Sequence, residues 1–151
     1  MNITDLQKLI CKKLNADPIL VNGGAHAMIQ DSLDIEAEIN NQLDMVGGVA
    51  IVTVPGNGAR VGANTKNGLI PLEYPNFAIN CVEVVALNRA RVNAITAAQA
   101  AQRVIALMDC PAFLYVRHSE SPDEQRGELT TSVFFKTTAT IHPIEILNTK
   151  N

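Results

Sequence analysis

Tryptophan is absent from this 151-residue sequence, and aromatic residues of every kind make up 4% of it. Stacking platforms for single-stranded nucleic acid are therefore poorly supplied. Charge is sparse as well: charged residues are 18% of the chain and the net charge is −3, which leaves no overall field for capturing nucleic acid or anionic membrane. Sequence-specific nucleic-acid binding is not expected. The three cysteines, Cys11, Cys81 and Cys110, are odd in number and lack close metal-ligand spacing, so they read as reduced packing thiols. His26, His118 and His142 are far apart, with no pair at ligand spacing. No local motif assembles Ser, His and Asp for nucleophilic attack. No apolar run approaches the length of a bilayer span, and the first residues do not form a basic segment leading into an apolar core. A soluble intracellular product without cofactor, metal or catalytic site is the expectation, and nothing in the residues alone dictates a function.

What is present is a chain long enough for one domain with a sizeable core, 47% hydrophobic. The expected domain is residues 1–151, with a core over about 3–141 and a tail over 142–151. The organising stretch is residues 77–108. Residues 77–87 are almost continuously apolar and rich in β-branched types, which predicts a central strand covered on both faces. Thr96 and Gln99 then form a capping-box pair, so a helix should start at Thr96 and run to Met108. Ala97, Ala100, Ala101, Val104, Ile105, Leu107 and Met108 share one face of it.

Ahead of that stretch, Thr4 can cap a helix in which Leu6, Leu9, Ile10 and Leu14 recur on one face, with Asp17 and Pro18 ending it. Lys12 and Lys13 suit the helix dipole there. Ile19, Leu20 and Val21 suggest a short strand, followed by a turn at Asn22, Gly23 and Gly24. Asp31, Ser32 or Asp34 can cap a second helix carrying Ile35, Ile39 and Leu43, although alternation over residues 33–39 leaves a strand open. Residues 49–54, nearly pure in β-branched character, predict a second central strand.

Residues 55–62 place glycines at 56, 58 and 62 after that strand, superficially like a phosphate loop. No helix start follows, and a dinucleotide site needs that helix end. The segment 56–68 therefore reads as a hairpin tip or arm, with a return strand over 69–74 that Pro71 and Pro75 restrict to an edge or interrupt. Residues 113–116 begin another strand, 119–127 look like a mobile exposed loop, and 128–141 form a long two-faced strand. Leu129, Thr131, Val133, Phe135, Thr137 and Ala139 lie on one of its sides. Within the apolar strand, Glu83 is either a general base or, more in keeping with buried charge, a partner of Arg89, Arg91 or a neighbouring subunit.

With the run Gly48-Val-Ala-Ile-Val-Thr-Val54, the run Ile79-Asn-Cys-Val-Glu-Val-Val85, the capped helix from Thr96 and the closing strand, residues 3–141 resemble the tail terminator (tail completion) proteins of long-tailed bacteriophages and prophages. The resemblance is one of element order and strand character. It implies an α+β single domain with a mixed, mainly antiparallel sheet flanked by helices. It also implies a homo-oligomeric, hexameric ring that caps the tail tube, stops its polymerisation and meets the head–tail connector or stopper protein. Such a protein resides in the virion tail, assembles in the host cytoplasm, and has a ring lumen that can pass DNA; no membrane and no catalytic residue belong to it. On this chain, the acidic patch at Asp31, Asp34, Glu36 and Glu38 and the basic patch at Arg89, Arg91 and Arg103 are placed to meet head to tail around a ring. Arg60 in the glycine-bearing arm and Glu83 complete the expected assembly interface. Two other classes stay open: another head–tail connector or stopper component, and a small enzyme of ferredoxin-like type with a polar pocket near Glu83 or His118.

Overall fold

The computed structural model describes residues 3–29, 48–55, 60–61 and 72–138. Helix α1 (Ile3–Asn15) buries Leu6, Gln7, Ile10 and Leu14 along one face. Residues 18–22 are not a strand but a short helix, α2 (Pro18–Asn22). Pro18 stands at its first turn, and the Asp17 side chain accepts from the Leu20 amide at 3.1 Å. This cap decides the local structure against β-branched propensity. Gly24, at φ 85°, then reverses the chain into a strand that the sequence pattern does not reveal, β1 (Ala25–Ile29).

The described strands form one sheet in the order β1, β2 (Val49–Val54), β4 (Leu72–Val84), β6 (Glu128–Thr138) and β5 (Phe113–Asp123). The short strand β3 (Arg60–Val61) pairs with Leu72 and Glu73 of β4. β1 and β2 are parallel and every other pairing is antiparallel, so the expected α+β architecture with a mixed, mainly antiparallel sheet is met. The expected helix over residues 31–43 and most of the 56–68 arm lie outside the described residues.

Strand β2 is buried on both faces, as its composition predicts. Strand β4 differs from expectation at both ends. It runs through Pro75 without breaking, because the register with β6 shifts between Tyr74 and Phe77 and a bulge absorbs the missing donor. It stops at Val84, and the remaining apolar residues make a helical turn, α3 (Val85–Arg89). An apolar run alone does not distinguish the two conformations. Helix α4 (Ala97–Met108) begins at the predicted capping box, with Thr96 Oγ accepting from Gln99 N at 3.1 Å and Gln99 Oε accepting from Thr96 N at 3.0 Å. In β6 the inward set Thr131, Val133, Phe135 and Thr137 follows the predicted alternation.

Helices α1 and α4 pack on one face of the sheet, α1 over β1 and β2, α4 over β4 and β6. Between them lie Ile51, Ile79, Cys81, Val133 and the phenylalanines. Burial pushes the Cys81 thiol up to about 12 and the Cys11 thiol to about 11, as packing cysteines require. Three of the four phenylalanines meet here: Phe113 lies edge-on to Phe77 at 5.3 Å and stacks on Phe135 at 4.4 Å. On the opposite face Ala50, Val52, Ala78 and Val82 are also buried.

The segment expected to be a mobile loop over 119–127 is mostly strand. Residues Ser119 to Asp123 stay in register with Ser132 to Glu128, and only residues 124–127 turn the chain, with Gly127 at φ 63°. Polar composition conceals this because β5 is an edge strand exposed on both faces beyond Tyr115. Because Phe113 is fully buried between two other rings, Phe113→Ala should lower stability by about 3 to 5 kcal/mol in denaturant melts.

Candidate functional site

The densest polar arrangement sits where β4, α3 and α4 converge. Glu83 has no exposed surface, although it ends an apolar strand. Its Oε2 accepts from Asn88 Nδ2 at 2.7 Å, and its Oε1 accepts from the Ala97 amide at 3.1 Å and from Arg89 Nη2 at 3.4 Å. Asn88, also fully buried, donates in addition to the Ile95 carbonyl at 2.8 Å. One carboxylate thus satisfies an orphan amide in the first turn of α4, where negative charge is favoured by the helix dipole, and fixes the turn leading into it.

The paired-carboxylate expectation is met within the chain, since Arg89 reaches Glu83 while its own side chain stays 53% exposed. Arg91 does not join the pair. Its guanidinium lies against Gly24 and Gly48, where a Cβ at either position would collide with it. Its Nη1 is buried without a hydrogen-bond partner among the described residues, as is the Oδ1 of Asn88. Any side chain at position 48 would also run into the Gly24 carbonyl, which holds the β2 start by accepting from the Val49 amide at 3.0 Å.

Arg103, expected on a basic patch with Arg89 and Arg91, is engaged elsewhere. Its Nη2 and Nε donate to the two oxygens of Asp17 at 2.7 and 3.0 Å, a bidentate pair that ties α2 to α4. The guanidinium holds the Asp17 carboxyl below its ordinary value near 3.8, against the opposing effect of burial. The basic patch therefore reduces to Arg89 and the partly buried Arg91. The acidic residues Asp34, Glu36 and Glu38 lie outside the described residues, and Arg60 is placed only as a backbone position in β3. His26 is exposed in β1, and His118 is exposed in β5 with its Nδ1 2.7 Å from Tyr115 Oη.

No group of three or more His, Cys, Asp or Glu side chains among the described residues is arranged to hold a metal ion. No described helix is long and apolar enough to cross a membrane. Two surface clefts, one beside α2 and α4 and one at the β5–β6 tip, are lined by neither Glu83 nor His118. The arrangement around Glu83 is built to hold three elements together.

With this geometry in view, similarity to known proteins is confined to structure. No family model and no curated protein sequence matches the chain. A solved chain from the "Virion of native gene transfer agent (GTA) particle" has the same fold, with a TM-score of 0.54 over 88% of this chain and 92% of that one, at 13% sequence identity. Asn88 and Asp17 are the junction residues that sequence reasoning missed. The available signals were an Asn directly after an apolar run and an Asp directly before a helix-starting Pro.

Two outcomes follow. Glu83→Gln sets an amide nitrogen against donors on one side, so stability should fall by about 1 to 3 kcal/mol in urea titrations. Since folding depresses the Asp17 value, its contribution is present at neutral pH and is lost as pH falls below about 3.8. Asp17→Asn should therefore be less stable than the parent chain at pH 7, and the difference should shrink in melts taken progressively below that pH.

Proposed function

We propose that this chain is a structural, non-enzymatic component of a virion of the tailed-phage type, and within that class a tail terminator. The observation supporting this is the fold match to a chain of the gene transfer agent particle, which covers 88% of this chain and 92% of that one rather than one shared motif. Element order and strand character similar to the tail terminators point the same way. In this reading six copies form a ring on the end of the tail tube, and the opposite face of the ring receives the head–tail connector or stopper protein. The ring forms head to tail, with Arg89 and Arg91 of one copy meeting Asp34, Glu36 and Glu38 of the next, and with Arg60 on the arm near the joint. Glu83 acts behind that surface by holding Arg89 at its place on the end of α3. The cell location follows: host cytoplasm during assembly, then the finished tail.

The test is co-expression with the cognate tail tube protein, followed by electron microscopy of tube ends and measurement of tube length. Tubes of uniform length capped by a six-fold ring are expected, and a chain found at the head side of a separately terminated tube would make it a connector or stopper instead. Arg89→Gln withdraws one of three donors, and the cation, from the fully buried Glu83 carboxylate, so stability should fall by about 1 to 3 kcal/mol while the chain still folds. Ring formation in the same variant should fall sharply. Assembly indifferent to this change removes Arg89 from the joint.

A further inference from the structure

The two outer strands of the sheet differ in what meets their free edges. At β1, Asn15 of α1 accepts from the Ala27 amide at 2.8 Å and donates to the Ala27 carbonyl at 3.1 Å. Both backbone groups of Ala27 therefore point away from β2, and the middle of that five-residue edge is closed by the chain's own side chain. Sheet continuation through β1 is blocked.

On β5, among the described residues, the outward groups are closed only in the first part of the strand. Phe113 exchanges both backbone hydrogen bonds with Cys110, at 3.0 and 3.1 Å, and the Tyr115 amide donates to Asp109 Oδ1 at 3.0 Å. The register shift after Tyr115 then resets the alternation. Counting from the paired residues, the backbone groups of His118, Glu120 and Pro122 point outward, and Arg117, Ser119 and Ser121 point toward β6. Pro122 has no N–H, and prolines in sheets occur where the missing donor faces outward. What remains is a short window bounded by Asp109 and Cys110 at one end and by Pro122 at the other. Its donors and acceptors belong to His118 and Glu120.

That window is self-complementary. We propose that it is a self-recognition edge, along which β5 of a second copy lies antiparallel about a two-fold axis through Ser119. In this register the His118 backbone exchanges both hydrogen bonds with the partner's Glu120, and symmetry repeats the exchange, giving four. Residues directly opposite share a face, so each imidazole stands beside a carboxylate. Tyr115 prepares the contact: when Nδ1 of His118 accepts from the Tyr115 hydroxyl, Nε2–H is left to donate to the partner's Glu120. A neighbour's β1 cannot take this place, because Asn15 occupies it. An edge this short gives a weak, reversible dimer that forms as concentration rises. A two-fold contact cannot close a six-fold ring, so this surface is separate from the ring joint proposed above and stands or falls without it.

Sedimentation equilibrium of the full chain from micromolar to millimolar concentration tests the proposal, with His118→Glu and the exchange variant His118→Glu/Glu120→His. A reversible monomer–dimer equilibrium is expected. The single variant should raise its dissociation constant about tenfold, and the exchange variant should recover most of that loss. Ser119→Cys supplies a second measurement that does not depend on charge. The two-fold axis brings the Cα atoms at that position to about 4.5 Å, within disulfide range, so the variant should cross-link under mild oxidation faster than Ser121→Cys and faster than the parent chain. A chain that stays monomeric, a dimer indifferent to His118→Glu, or equal cross-linking at positions 119 and 121 would overturn the proposal. So would β5 amides that gain exchange protection only when another protein is added, which would give the edge to a foreign strand.

Discussion

The fold hangs on a carboxylate at the end of its longest strand. Glu83 is buried, and removing a charge from water is tolerated only where donors replace the lost hydration. Here those donors come from three places: the Asn88 side chain, the Ala97 amide and the Arg89 guanidinium. Because Asn88 and Arg89 belong to α3 and Ala97 to the first turn of α4, satisfying one charge sets the exit of β4, the turn through α3 and the angle at which α4 returns over the sheet. The small face of α4 can then seat on β4 and β6, and Phe113 can close the core from the edge.

A second polar tie works at the other side of α4. Asp17 caps α2 and clamps Arg103 with the same carboxylate, so the short helix that would be marginal alone is held against α4. The core between these ties is ordinary close packing of aliphatic and phenylalanine side chains. The polar ties select one arrangement of the elements, and the apolar core supplies most of the driving force once that arrangement is reached.

Much of this was legible in the residues. The capping box at Thr96 and Gln99, the β-branched run of β2 and the alternation of β6 each carry a local signal strong enough to survive tertiary context. The misses have physical reasons. β1 is short and follows two glycines, so no periodicity develops; α2 is decided by a cap and a proline that outweigh its β-branched residues. The outer half of β5 is polar because both its faces meet solvent, and polarity is also the mark of a loop. Of the candidate site, the need of Glu83 for a partner was legible because a carboxylate in an apolar strand demands one, while the choice of Arg89 over Arg91 or a neighbouring subunit came only with the structure. The diversion of Arg103 to Asp17 was not, since the two are 86 residues apart and nothing local links them.

The clamp between Asp17 and Arg103 bears on how such a fold diverges. A lone change at position 103 leaves a buried acid without its counter-ion, while a lone change at position 17 leaves a half-covered guanidinium and an uncapped helix. Neither intermediate is neutral, so the two positions drift as a pair or are replaced together by an apolar contact. The phenylalanine cluster is freer, because volume can be traded among neighbours in small steps. Two chains at 13% identity can share this architecture, and in a fold so permissive the lasting constraint on sequence would sit in coupled polar pairs more than in individual core residues.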